Sequence, residues 1–302
     1  MLYARDDDVA RASDAPRCSE ASTRAFTLTR RLDADTMNHI APAPPSSMLI
    51  ARSSAMQPVH VDIELAARSD AKVLITGEPG VGKEVVAHNI HSHSRRRTAP
   101  FVAIDCAGVP DVLLESEFVG HTSGGFTGGT SDRPGRLLQA HTGTVFLNEV
   151  GEMSPRLQAL LLRFLDTGEI GTVDGDAPKK HTDVRVIAST NVDLPAAVDT
   201  REFRDDLYYR LNMVHVRIPP LRERQADIPL LANHFLRACA QESHLPQPTL
   251  TPAALEVLVR YRWPGNIREL RSMMERAMLR LNAATIDAAD LPVELAAHND
   301  HA

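Results

Sequence analysis

The chain has 302 residues, 43% of them hydrophobic, with a formal net charge of -6 and a pI near 6.1. That is enough apolar material for one full core and a smaller second one, and the acidic balance excludes a globally basic nucleic-acid binder. Cys18, Cys106 and Cys239 stand far apart without metal-ligand spacing, which fits a reducing cytosol and excludes a disulfide framework, and no apolar run or signal peptide points to a membrane.

Residues 1–47 mix acids, arginines, Ser and Ala without periodicity and end in Ala41-Pro42-Ala43-Pro44-Pro45-Ser46-Ser47. This composition predicts an extension with little fixed structure closed by a stiff, polyproline-like linker. Over 48–219, strand-like runs at 72–76, 101–105, 144–148, 184–190 and 214–218 alternate with helical stretches, the pattern of an α/β domain with a parallel, helix-covered sheet. Leu157, Leu160, Leu161, Phe164 and Leu165 recur at helical spacing before Gly168, which predicts a core-facing helix. After Pro219-Pro220 the strand signals cease. Residues 220–295 then read as a small all-helical subdomain, with a helix over 227–243, a second opened by Thr251-Pro252 and a third opened by Asn266; 296–302 is a tail. Asn266 and Glu269 have the spacing of a capping box, which would project Arg268 from the first turn. Arg95-Arg96-Arg97 reads as a solvated turn. His88, His91 and His93 share no clean i, i+4 face and read as exposed side chains rather than metal ligands.

The most specific local signal is Gly77-Glu78-Pro79-Gly80-Val81-Gly82-Lys83, which lies between the 72–76 run and a helix-forming stretch from Glu84. Such a loop turns backbone N–H groups around a polyphosphate at a positive helix end, and Lys83 adds a mobile cation. Glu84 stands where Ser or Thr would place a hydroxyl on Mg²⁺.

Further segments follow in a fixed order: Phe101-Val102-Ala103-Ile104-Asp105-Cys106, Ser116-Glu117-Phe118-Val119-Gly120-His121, Gly124-Gly125-Phe126-Thr127-Gly128-Gly129, Gly143-Thr144-Val145-Phe146-Leu147-Asn148-Glu149, Phe203-Arg204-Asp205-Asp206-Leu207-Tyr208-Tyr209-Arg210-Leu211-Asn212 and Trp263-Pro264-Gly265-Asn266-Ile267-Arg268-Glu269-Leu270. With the phosphate loop, they make residues 48–292 resemble the sigma-54 interaction domain, an AAA+ ATPase, of bacterial enhancer-binding transcription activators. The resemblance implies an AAA+ fold with a parallel sheet core and a helical lid. It also implies a cytoplasmic ring of like subunits that holds ATP and Mg²⁺ between neighbours and remodels the RNA polymerase holoenzyme carrying sigma-54. It accounts for Glu84, because phosphate loops in the family commonly end in Glu.

Roles carried over by the resemblance fall on particular residues. Gly77, Glu78, Pro79, Gly80, Val81, Gly82, Lys83 and Glu84 would surround the phosphates, and the segment 48–56 would lie against the adenine or serve only as an entry strand. Asn148 and Glu149 occupy the acidic pair whose first member binds Mg²⁺ and whose second polarises the attacking water. Asn148 is neutral, so metal affinity and hydrolysis should weaken while ATP binding persists. Asp105 falls where the family has an Asn that switches the catalytic Glu, so carboxylate and amide are exchanged between neighbouring strand ends. Asp105 either restores part of the missing anion or reflects an unrelated drift. Thr190-Asn191 match the sensor of the γ phosphate, Arg268 the second sensor, and Arg204 and Arg210 the arginines inserted into a neighbour's site. Gly124, Gly125, Phe126, Thr127, Gly128 and Gly129 match the sigma-contacting loop, with glycines replacing two alanines and raising its entropy.

The family's input domain is not expected in 1–47, and the ten residues after Pro292 leave no room for a helix-turn-helix. A direct DNA-binding module is therefore not expected. The expected function is ATP-dependent regulation of sigma-54 transcription; the alternative is a hydrolysis-impaired partner subunit or anti-activator of an intact homologue.

Overall fold

A computed structural model describes residues 49–121, 133–170, 180–280 and 284–292. In chain order the principal elements are α1 (Gln57–Ala67), β1 (Val73–Thr76), α2 (Lys83–Ser92), β2 (Phe101–Asp105), α3 (Asp111–Val119), β3 (Thr144–Asn148), α4 (Pro155–Thr167), β4 (Arg185–Thr190), α5 (Leu194–Asp199), α6 (Asp205–Leu211), β5 (Val214–Arg217), α7 (Ile228–Glu242), α8 (Pro252–Arg260) and α9 (Asn266–Arg280). The five strands form one parallel sheet in the order β2, β3, β4, β1, β5. Each predicted strand run is present, so the doubly covered sheet follows from apolar runs that bury both faces.

The two faces separate residue by residue. Leu74 of β1, Val145 and Leu147 of β3, and Val186 and Ala188 of β4 pack into a core with Leu114, Phe118, Leu157, Leu161 and Leu207. Their neighbours Val73, Ile75, Phe146 and Ile187 point the opposite way, into a core with Val59 and Ile63 of α1 and Val86 and Ile90 of α2. This is the period of two expected of a strand, applied to a sheet with helices on both sides.

Helix ends follow their local chemistry. Pro155 opens α4 behind Ser154, whose hydroxyl accepts from the Leu157 N–H at 3.4 Å, and Gly168 stops the helix with its N–H on the Phe164 carbonyl at 2.8 Å. Likewise Thr251 caps α8 by accepting from the Ala254 N–H at 3.2 Å, with Pro252 in the first turn. The helical part after β5 has its own core of Ile228, Leu231, Leu258, Leu270, Met273 and Met274 around the fully buried Trp263. The Trp263 indole N–H donates to the Leu258 carbonyl at 2.8 Å, satisfying its one polar atom.

Three expectations need correction. Arg96 is not solvated. Its guanidinium bridges Asp70 at 3.0 Å and Asp183 at 2.9 Å and also reaches the Gly143 carbonyl at 3.3 Å, tying the base of the sheet together. His91 is buried with Nδ1 3.0 Å from the Thr144 hydroxyl, and His88 lies against the Phe101 ring at 4.0 Å between centroids, so only His93 of the three is exposed. Burial holds both His88 and His91 below the ordinary imidazole pKa. Finally, the Asn266 side chain does not cap α9, because it is turned into the phosphate loop.

Candidate functional site

The loop 77–83 joins β1 to α2, and two of its three glycines, Gly80 and Gly82, have φ of 79° and 102°. A side chain at Gly80 would place its Cβ 2.4 Å from the Gly265 carbonyl oxygen, so this position requires glycine for space as well as for its dihedral. Lys83 is the first residue of α2 and is 7% exposed. Its Nζ donates to the Gly77 carbonyl at 3.0 Å and pairs with Glu149 Oε1 at 2.8 Å.

Glu149 follows β3 with φ of 56°, a left-handed backbone for a residue that ordinarily avoids it. Its second carboxylate oxygen accepts the Asn191 N–H at 2.9 Å, so the end of β4 and the head of α2 hold one oxygen each. Lys83, Glu149 and Asn191 thus converge, as the sequence pattern anticipates. Thr190 is fully buried beneath them, and its hydroxyl accepts the Val192 N–H at 3.0 Å.

The adjoining strand ends are different in character. Asp105 and Asn148 are direct register partners on β2 and β3. Asn148 Oδ1 accepts the Ser189 hydroxyl at 2.8 Å, whereas Asp105 Oδ1 accepts the Ala107 N–H at 3.2 Å in a local turn. Magnesium, which the resemblance implies, fits these residues poorly. Asn148 offers a neutral oxygen already engaged by a hydroxyl, Glu84 is exposed and brings no hydroxyl, and the described residues contain no cluster of three His, Cys, Asp or Glu side chains suited to a metal.

A layer of contacts around the loop escaped sequence reasoning. Arg222 grips both Glu78 carboxylate oxygens, at 2.6 and 2.9 Å, and with Asn266 it holds the Glu78 carboxyl below the usual carboxylate range. Arg224 is buried and donates to the Val81 carbonyl at 2.8 Å; burial pulls its guanidinium pKa down to about 10, opposed by the Asp227 charge. Asp227, fully buried, accepts the N–H groups of Arg52 and Ser53 at 2.6 and 2.8 Å and the Ser53 hydroxyl at 2.8 Å. This fixes the entry segment, where Leu49 and Ala51 pack on the sheet core and Ile50 on the helical core. Met56 belongs wholly to the sheet core. Arg222, Arg224 and Asp227 lie in one charged run after Pro219-Pro220, and that proximity was the available signal.

Arg268 is in the first turn of α9 and exposed, as expected. Glu269 accepts the Gly265 N–H at 2.8 Å and the Tyr261 hydroxyl at 3.1 Å, replacing the anticipated capping box. Arg204 forms a two-pronged pair with Asp206 at 3.0 and 2.8 Å, and Arg210 pairs with Asp166; both arginines are about half exposed. The residues at 124–129 lie outside the described residues. Their flanks, Gly120–His121 and Arg133–Pro134, pair as a short antiparallel ladder. Among the described residues no helix is long and apolar enough to cross a membrane.

A parallel sheet with a phosphate loop at the end of one strand, a Lys–Glu pair beside it and a small helical lid define the AAA+ class of phosphate-loop proteins. Within that class, residues 49–217 match the sigma-54 interaction domain and residues 222–302 the AAA+ ATPase lid domain, and the chain belongs to the sigma-54 interaction domain family. It is 44% identical over 275 residues to the transcriptional regulatory protein ZraR of Escherichia coli (strain K12), covering 90% of this chain and 61% of ZraR. It is 46% identical over 248 residues to the DNA-binding transcriptional regulator NtrC of Azospirillum brasilense, covering 82% of this chain and 51% of that protein. The chain therefore spans about three fifths or less of these relatives. Crystal structures of NtrX from Brucella abortus in complex with ADP and with ATP superpose with a TM-score of 0.75 at 34% identity, covering 82% of this chain and 56% and 57% of theirs.

Proposed function

We propose that this chain binds ATP at the 77–83 loop, assembles with like subunits into a ring and acts on sigma-54 in the RNA polymerase holoenzyme. The observation that carries the reading is Lys83 at the head of α2, 2.8 Å from Glu149, in a glycine-bearing loop that joins a strand to a helix N-terminus. The NtrX complexes with ADP and ATP support the choice of nucleotide. Phosphate charge arriving at the loop draws Lys83 away from Glu149. Glu149, still held by the Asn191 N–H, is then free to accept a proton from water attacking the terminal phosphate.

Charge developing on the transferred phosphoryl group is met by Arg204 and Arg210 of the adjacent subunit. Each first leaves its own carboxylate, Asp206 or Asp166, in an exposed, solvent-screened pair that is easily exchanged. Arg268 reports nucleotide state to the lid, and the loop Gly124-Gly125-Phe126-Thr127-Gly128-Gly129 presents Phe126 and Thr127 to sigma-54. The work is mechanical.

One observation favours a second reading. Asn148 is neutral and its carbonyl oxygen is engaged by Ser189, which suits a hydrolysis-impaired ATP-binding partner or anti-activator of an intact homologue. Steady-state phosphate release by the native chain and by Asn148→Asp, at concentrations that form rings, separates the two. Turnover by the native chain supports the engine, and turnover by Asn148→Asp alone supports the partner subunit. Failure to retain ATP sinks both.

A further inference from the structure

Three consecutive carbonyls of the phosphate loop are bonded from outside the loop by lid-side residues. The Pro79 carbonyl accepts from Asn266 Nδ2 at 3.1 Å, the Gly80 carbonyl from the Ile267 N–H at 2.9 Å, and the Val81 carbonyl from an Arg224 guanidinium nitrogen at 2.8 Å. In a trans peptide the carbonyl and the next N–H point in opposite directions across one plane. Fixing these three carbonyls toward the lid therefore turns the N–H groups of Gly80, Val81 and Gly82 away from it. The Val81 N–H has only a long bond, 3.4 Å, to the Glu78 carbonyl. The donors that would face a polyphosphate are thus oriented by residues on the other side of the chain.

Asn266 is the centre of this arrangement. It is fully buried, has φ of 53°, and every polar group of its side chain is committed. Nδ2 donates to the Pro79 carbonyl and to Glu78 Oε2 at 3.0 Å, while Oδ1 accepts the Leu221 N–H at 2.8 Å. Arg222, next to Leu221, clamps the same Glu78 carboxylate. One amide therefore joins the loop, the start of the lid and the head of α9.

We propose that Asn266, with Arg222 and Glu78, is a positioning device that sets the shape of the phosphate cradle from the lid side, so that nucleotide affinity depends on side-chain bonds made across the lid-facing side of the loop. The inference rests on the reading that the loop takes nucleotide phosphate. Reciprocity follows: a bound polyphosphate that prefers the cradle's shape stabilises the docking of the lid by the same free energy.

The test is a cycle of substitutions read by equilibrium and stopped-flow binding of a fluorescent ATP analogue to the full chain, with the unfolding midpoint of the nucleotide-free protein as control. Asn266→Asp keeps the acceptor for Leu221 but loses both donated bonds and sets a second carboxylate against Glu78. Affinity should fall on the order of tenfold or more, chiefly through faster release. Adding Glu78→Gln supplies an amide N–H to face Asp at 266 and should recover roughly threefold or more of that loss. A residue needed only for folding would lower the unfolding midpoint without this rescue in affinity. Arg222→Gln, at an exposed position, should fold normally and weaken binding by roughly threefold; it decides the matter if Asn266→Asp does not fold. If the native chain binds the analogue and the folded variants bind it equally well, the positioning role is overturned while the nucleotide reading stands. If the native chain binds none, the nucleotide reading itself falls.

Discussion

The phosphate loop and the neighbouring strand ends are only a few residues apart in space, yet they are built to different standards. In the loop, three carbonyls are bonded from the lid, Glu78 is held by Arg222 and Asn266, and Lys83 has two partners. At the ends of β2 and β3, the position expected to carry a metal-binding carboxylate is a neutral Asn148, and the carboxylate of Asp105 serves a local turn. Grip and chemistry are separable properties of this fold. Here the loop proposed to hold phosphate has its surrounding contacts in place, and the strand ends proposed to cleave it depart from the expected residues.

Removing the cation is the most direct way to break that contrast. Lys83→Ala should lower ATP affinity on the order of a hundredfold, because it deletes a partly desolvated charge and leaves the Glu149 carboxylate with the Asn191 N–H but no cation; equilibrium binding measures it. Next in size is Gly80→Ala, which drives a Cβ to 2.4 Å from the Gly265 carbonyl and strains a left-handed backbone. It should cost about 1–3 kcal/mol in thermal or denaturant unfolding, and loosen the lid from the loop before it disturbs the sheet.

The other half of the contrast is sharpened by restoring chemistry. Asn148→Asp should raise phosphate release by roughly tenfold or more while changing ATP affinity only a few-fold, since it adds a metal-binding carboxylate away from the loop. Asp105→Asn preserves an acceptor for the Ala107 N–H and removes only charge. We expect it to reduce residual hydrolysis several-fold, and an unchanged rate would assign the carboxylate to the turn alone.

The smallest effect is a pH dependence. Glu78 is held below the ordinary carboxylate range by Arg222 and Asn266, so its contribution is complete above the pKa of the unfolded chain and disappears as pH falls through the lower folded value. The difference in unfolding midpoint between the native chain and Arg222→Gln should therefore shrink between about pH 6 and about pH 3. As an exposed pair, it should amount to little at any pH.

The sheet was legible because burial on both faces leaves continuous apolar runs, and the loop was legible because glycines and lysine at fixed spacing serve one backbone geometry. Lys83, Glu149 and Asn191 converge as their strand-end positions imply. Asn266 was misread because a capping pattern is local, whereas its actual partner Glu78 lies 188 residues away. Arg96, Arg222 and Arg224 look like solvated charge when only sequence neighbours are visible; their partners come from distant strands and loops. His91 was similarly opaque, since its burial against Thr144 depends on how α2 crosses the sheet.

Asp227 has a mechanical consequence. By taking the main-chain N–H groups of Arg52 and Ser53, this single carboxylate anchors the strand of chain that enters the domain to the root of the helical subdomain. Because Leu49 and Ala51 seat on the sheet core while Ile50, Arg52 and Ser53 engage the helical side, a load on this segment is shared between the two parts rather than borne by either alone.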